Sequence, residues 1–295
     1  MPPIIIFVPT QGLCNRLRAF ASAKILANFL QATFYVNWIP EPCCNCSLDE
    51  LISNHFISFD LQKISNSKSV LHKPTIHTNY LISEFDKYDY VIIEGGHEFK
   101  HPDMDIYTFI NKKQEFYNSF QFSDTIQKLL QNCKNIENCV GVHFRDFVDT
   151  YDKQDGRVFH EVSPIENFMS IIQRVYQNNP NTKFFISSNT NFAYDHIKNI
   201  IPNENILYLH NIETNRNNSL GIIHAFLSLI LLSKTTFIIG TIMSSFSDEA
   251  CFFNKISKIC IGNEEIKSYH CYGFNTVFEY KMLLPNFQIL DRIHK

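Results

Sequence analysis

An excess of positive charge, a long apolar run and a matched set of cysteine pairs are all missing from this chain of 295 residues. With 26 Lys and Arg against 29 Asp and Glu, the formal net charge is -3, which leaves no electrostatic footprint for nucleic acid. The longest apolar stretch, Leu220 to Leu232, is interrupted by His224 and Ser228 and falls short of the roughly 20 residues that a bilayer span needs. No membrane anchor is expected. The opening run, Met1 to Pro9, has neither the basic start nor the small-residue cleavage site of a signal peptide and reads as a first core strand. Nine cysteines, an odd number, include the cluster Cys43-Cys44-Asn45-Cys46, but no second pair follows to complete a metal site. Reduced thiols, no metal and a cytoplasmic location are therefore the expectation. No internal repeat or low-complexity tract stands out.

What is present is a folded composition, 45% hydrophobic and 19% charged, in a chain long enough for two domains. From residue 139 onward short β-branched or aromatic runs alternate with helix-length segments. Strands are predicted at Cys139–His143, Lys183–Ser187, Asn205–Leu209, Phe237–Gly240 and Ile256–Ile259. Helices are predicted at Pro164–Gln177, Phe192–Ile200, Leu220–Ser233 and Ser244–Phe253. This alternation is the signature of a parallel sheet covered by helices on both faces. The first half opens in the same way, with strand Ile4–Val8, helix Asn15–Leu30 and strand Thr33–Asn37, then a strand at Tyr90–Glu94 and a helix at Ser123–Cys133. The expected organisation is α/β: two doubly wound, Rossmann-type domains facing a cleft, spanning 1–135 and 136–275, with 276–295 packing back across them.

The chemistry-bearing residues lie at predicted strand ends. Gly141-Val142-His143-Phe144-Arg145-Asp146 places an arginine just past a buried strand. His143 and Arg145, two apart in extended backbone, share a face while Phe144 takes the other. The strand Phe237–Gly240 runs into Thr241-Ile242-Met243-Ser244-Ser245-Phe246-Ser247. A guanidinium fork and a hydroxyl-rich helix start, with its free N–H groups and positive dipole end, suit a diphosphate and point to a nucleotide-sugar enzyme. Arg145 could equally be a surface ion pair, and the serines could be plain helix caps. After the first strand, Gln11-Gly12-Leu13-Cys14-Asn15-Arg16 opens a helix of small residues. There Gly12 permits a tight turn and Asn15 and Arg16 offer donors to a ligand, or Asn15 caps the helix and Arg16 is solvated. Asn189 and Thr190 either cap the next helix or present polar groups to a base or ribose. His224 and Ser228, four apart on an apolar helix, either bond each other in the core or lie against a base.

Taken together, Gly12-Leu13-Cys14-Asn15-Arg16-Leu17, Gly141-Val142-His143-Phe144-Arg145, Phe184 to Asn189, Leu231 to Lys234 and Gly240 to Ser247 resemble, in order and spacing, the motifs of the fucosyltransferase superfamily of GT-B glycosyltransferases. That superfamily includes core α1,6-, nodulation-factor and protein O-fucosyltransferases. The resemblance implies a GT-B-like fold and metal-independent, inverting transfer of fucose from GDP-fucose to a glycan or protein acceptor. It implies that Arg145 contacts the β-phosphate, that Ser244, Ser245 and Ser247 hold the diphosphate, and that Asn15 faces the donor sugar or acceptor. The general base is expected in the loop after Arg145, with Asp149 favoured over Asp152, Asp155 and Glu161. Three positions depart from the pattern: Asp146 replaces a second arginine, Asn189-Thr190 an acidic pair, and Ser228 an aspartate. Those carboxylates help recognise guanosine in the resembled family. A different nucleotide sugar, or a non-catalytic nucleotide-sugar-binding relative, is the alternative.

Overall fold

Strands and helices alternate through the residues that the computed structural model describes, which are 2–64, 69–74, 85, 87–146, 163–242 and 244–262. They form two compact units. The first comprises Met1–Leu129 and the later segment Asn215–Phe226, and the second takes Leu130–Thr214 and the chain from Leu227. The sequence places its junction at 135/136 and does not anticipate the return of Asn215–Phe226. The expected C-terminal segment 276–295 lies outside the described residues.

In the first unit, β1 (Ile4–Pro9), β2 (Thr33–Val36), β3 (Val70–Pro74) and β4 (Tyr90–Gly95) form a parallel sheet in the order β2-β1-β4-β3. Between β1 and β2 runs α1 (Leu13–Phe29), which packs on β1 and against α2 (Ile106–Asn118). Ala19, Ala21, Ala23 and Ala27 have no exposed surface, so the small residues let this helix be enclosed. Phe20 anchors the core, with ring centroids 4.9 Å from Phe56 and 5.0 Å from Phe116. The helix α2 starts at Asp105, whose carboxylate accepts the Thr108 N–H at 2.9 Å and so caps the first turn. A short helix, α3 (Asp124–Gln131), follows.

The second unit holds β5 (Cys139–Phe144), α4 (Ile165–Asn178), β6 (Lys183–Ser188), α5 (Phe192–Ile197), β7 (Ile206–Tyr208), the end of α6 (Ser219–Ser233), β8 (Phe237–Thr241), α7 (Ser245–Asn254) and β9 (Ser257–Ile261). Its strands are all parallel, in the order β7-β6-β5-β8-β9. All six residues of β5 are buried, as expected of a central strand covered on both faces. Val140, Val142 and Phe144 join Phe168, Ile172, Phe184 and Ile197 in one core layer. Each such large side chain stabilises the fold by about 1.5–3 kcal/mol on burial. On the opposite face α6 and the turn that follows it come close enough that a Cβ on Gly141 would lie 2.8 Å from Leu232 Cδ1 and 2.6 Å from Thr235 Oγ1. A larger residue there would force those side chains to shift.

The strand order reverses between β5 and β8, because β6 and β7 extend to one side of β5 and β8 and β9 to the other. Ligands of open parallel sheets bind beyond the carboxyl ends at such a reversal. In this unit those ends are His143–Arg145 and Thr241–Ser247.

Candidate functional site

The sequence-predicted residues fall into two groups, one in each unit. In the second unit, β5 and β8 are direct neighbours, with His143 opposite Gly240. The alternation expected of His143 and Phe144 is observed. Phe144 packs on Phe168, with centroids 5.1 Å apart, while His143 stacks on Phe246 of α7 at 4.9 Å with an interplanar angle of 17°. Arg145, half-buried, directs its backbone N–H to Thr241 Oγ1 at 2.9 Å, and that hydroxyl donates to the His143 carbonyl at 3.3 Å. Thr241 therefore joins the ends of the two strands that flank the reversal.

Ser244 occupies the N-cap position of α7 but does not cap it. The first intrahelical bond runs from the Asp248 N–H to the Ser244 carbonyl at 3.2 Å, so helix geometry leaves the N–H groups of Ser245, Phe246 and Ser247 without intrahelical acceptors. Among the described residues, two buried side-chain atoms lack a hydrogen-bond partner, His143 Nδ1 and Ser244 Oγ. Both belong to this corner, one stacked on the first turn of α7 and the other preceding it. Buried polar groups are normally satisfied, and these two exceptions meet at one corner of the second unit. Ser245 is half-buried, whereas Ser247 is buried and its hydroxyl donates to the Ser244 carbonyl at 3.3 Å.

Cations surround His143. Burial first, then the Lys258 ammonium and the Arg145 guanidinium, hold its imidazole well below the ordinary histidine range, so it is neutral at pH 7. Lys258, on β9, is fully enclosed and donates to Asp248 Oδ1 at 2.7 Å and to the Thr241 carbonyl at 3.0 Å. Burial opposes its charge, but the Asp248 carboxylate with nearby Cys260 outweighs that and raises its pKa above the usual lysine value. Neither Thr241 nor Lys258 was singled out from the sequence. A lone lysine in the strand Ser257–Ile261 was the available signal, since strands of covered parallel sheets are nearly continuous apolar runs.

Asn189, in the turn after β6, is committed to Asp146. Its Oδ1 accepts the Asp146 N–H at 2.8 Å and its Nδ2 donates to the Asp146 carbonyl at 2.9 Å. Thr190 donates its hydroxyl to the Asp146 carboxylate at 3.0 Å and accepts the Phe192 N–H at 3.3 Å, a local cap at the start of α5. Ser228 is buried midway along α6. Asp149 lies outside the described residues.

In the first unit, the turn after β1 has Gln11 at φ 71°, and Gly12 precedes α1 without any side-chain cap. Asn15 Nδ2 donates to Gln11 Oε1 at 2.8 Å. Arg16 is completely buried. Its Nε donates to the Gln11 carbonyl at 2.8 Å, Nη1 to the Ile39 carbonyl at 2.7 Å and Nη2 to Glu41 at 2.8 Å, and the guanidinium lies 5.3 Å from the Trp38 ring centroid. These contacts fasten the turn to the segment after β2. Arg216 packs beside Gly12, its Nη1 3.6 Å from where a Cβ would stand. Burial pushes the Cys44 and Cys46 thiols up to about 12, which keeps them protonated. Among the described residues, no group of three or more His, Cys, Asp or Glu side chains is placed to hold a metal ion. No helix there is long and apolar enough to cross a membrane.

No protein-family model matches the sequence, and no curated protein matches it. Solved structures do. A mutant of Arabidopsis thaliana FUT1 in complex with GDP superposes with a TM-score of 0.61 at 13% identity, over 88% of this chain and 70% of that one. POFUT1 in its apo form gives 0.55 at 11% identity, over 89% and 99% of the two chains. NodZ α-1,6-fucosyltransferase soaked with GDP-fucose gives 0.54 at 13% identity, over 85% and 92%; NodZ comes from Bradyrhizobium. At such identities the likeness is one of fold, and the two parallel α/β sheets are those of the GT-B fucosyltransferase fold.

Proposed function

We propose that a protein with this fold, carrying this corner, is a glycosyltransferase that moves fucose from GDP-fucose to a hydroxyl of a glycan or protein acceptor. The observation that carries the reading is the pair of unpartnered buried atoms, His143 Nδ1 and Ser244 Oγ, at the open first turn of α7 beside Arg145. Neighbours of the same fold have been solved with GDP or GDP-fucose, which supports the choice of ligand.

In the proposed reaction the acceptor oxygen attacks the anomeric carbon as the bond from that carbon to the β-phosphate oxygen breaks. The bonding pair leaves with the diphosphate, and the acceptor proton passes to a carboxylate, proposed as Asp149. Inversion follows from this single displacement. The growing negative charge is met by Arg145, by Ser244 and Ser245, and by the N–H groups of α7, with no metal required. Gly12, Asn15 and Arg16 belong to the same proposal as the donor-side turn of the first unit, with Arg16 shaping that turn.

Removing one preorganised donor at a developing charge typically slows turnover about 10²–10³-fold. Arg145→Ala should therefore abolish most transfer in a chain that still folds; near-normal turnover would overturn the assignment. Asp149→Asn should be similarly slow if that carboxylate is the base. A second reading, transfer from another nucleotide sugar, draws on Asn189, whose amide is spent on Asp146 where the resembled family has an acidic residue. Scanning fluorimetry with a panel of nucleoside diphosphates and sugar nucleotides, followed by assays of transfer and donor hydrolysis, separates the readings. Preference for GDP supports fucose transfer, preference for another base supports the second reading, and binding without turnover indicates a non-catalytic relative.

A further inference from the structure

Among the described residues of the second unit, the proposed transfer leaves the buried cation Lys258 unused. Lys258 enters from β9, and its stem crosses beneath β8 at Gly240, where a Cβ would lie 2.8 Å from Lys258 Cε and 3.0 Å from Ser247 Cβ. Beyond that crossing its ammonium reaches Asp248 in α7 and the Thr241 carbonyl at the end of β8. The Thr241 hydroxyl in turn holds the Arg145 N–H and the His143 carbonyl. A continuous set of polar contacts thus runs from the first turns of α7, through Lys258 and Thr241, to the end of β5. Stability alone is a poor reason for it, because a buried ion pair carries a desolvation cost that a well-packed apolar pair of similar volume avoids. Supporting groups that fix the orientation of site residues are a better attested use of such contacts.

We infer that Lys258 is a positioning residue of the anion site, fixing the start of α7 against the end of β5 so that Ser244, the free N–H groups and Arg145 converge on one diphosphate. This rests on the reading of that corner as a diphosphate site. Lys258 need not touch the ligand. It sets the distance between the two elements that do.

The test is calorimetric titration of the full chain with inorganic pyrophosphate and with GDP. Lys258→Met should weaken both by about tenfold or more, since small misplacements of positioned groups are costly. Because that change strands Asp248, the double variant Lys258→Met/Asp248→Leu removes both charges and preserves the fold; its affinity should remain low at a melting temperature near that of the wild type. Thr241→Val, nearly isosteric, should weaken binding as well, and Thr241→Ser should restore it. If the wild type binds but the double variant and Thr241→Val bind equally well, Lys258 has a packing role and the inference falls while the diphosphate reading stands. If the wild type binds neither probe, the diphosphate reading itself falls.

Discussion

Asn189 satisfies both main-chain groups of Asp146 with its one carboxamide, accepting from the N–H at 2.8 Å and donating to the carbonyl at 2.9 Å. Two departures from the resembled family's pattern are therefore a single coupled feature, which ties the end of β5 to the end of β6. Restoring an acid by Asn189→Asp removes the donor to the Asp146 carbonyl and sets a second carboxylate beside Asp146. The expected cost is about 1 kcal/mol, kept low because the contact is partly exposed. Adding Asp146→Arg should recover part of it. A double-mutant cycle in urea checks this, and additivity within about 0.3 kcal/mol would show the two positions to be independent.

Arg16 and Arg145 should separate cleanly. With all three of its guanidinium nitrogens bonded in the core, Arg16→Met should cost about 2–4 kcal/mol of stability, and Arg16→Lys should lose much of the same, since an ammonium cannot match the planar fork. Arg145→Ala should move the urea midpoint less, because Arg145 is only half-buried at a strand end. Equal unfolding midpoints for the two variants would contradict these assignments.

The pH dependence of stability should carry the signature of His143. Its native pKa is depressed, so between about pH 6.5 and that lower value the unfolded chain holds a proton that the native chain does not. Stability then falls as pH falls, by up to about 1.4 kcal/mol per unit. His143→Phe keeps the stack on Phe246 and deletes an unpartnered nitrogen, so it should be at least as stable at pH 7 and lose less on going to pH 5.5. Urea midpoints at the two pH values decide it; an unchanged slope in the variant would assign the effect to another group.

Gly240 is the crossing point for Lys258. Gly240→Ala forces the lysine stem or Ser247 aside, at an expected cost of about 1–3 kcal/mol. Pyrophosphate affinity should fall with it, measured by calorimetry below the unfolding transition. An alanine variant with both properties intact would mean that the neighbours relax freely.

The second unit was readable because the middles of its strands are mostly apolar. Cys139–Phe144 sits buried on both faces, and the helix predicted at Ser244–Phe253 forms at Ser245–Asn254. Much of the first unit was hidden by residues whose type misstates their surroundings. Lys113 in α2 reads as a solvated position, yet it is fully buried and ion-paired with Glu98. His72, Lys73 and Pro74 disguise β3. At the site, the nearness of Arg145 to the end of β8 could be expected from two strand ends. The Thr241–Lys258 contacts could not, since they depend on β9 lying next to β8. Asp146 and Asn189, 43 positions apart, meet only once β5 and β6 are in register.

The first unit is discontinuous along the chain. Asn45 donates from its backbone N–H to the Arg216 carbonyl at 3.1 Å and from its side chain to the Asn217 carbonyl at 2.7 Å, and the Ser219 hydroxyl donates to Glu50 at 2.5 Å. On the ribosome, Asn45 and Glu50 must therefore wait for a stretch made some 170 residues later, at about 5–20 residues per second. Protease sensitivity of the Cys43–Glu50 region in nascent chains should persist until residue 226 has cleared the exit tunnel.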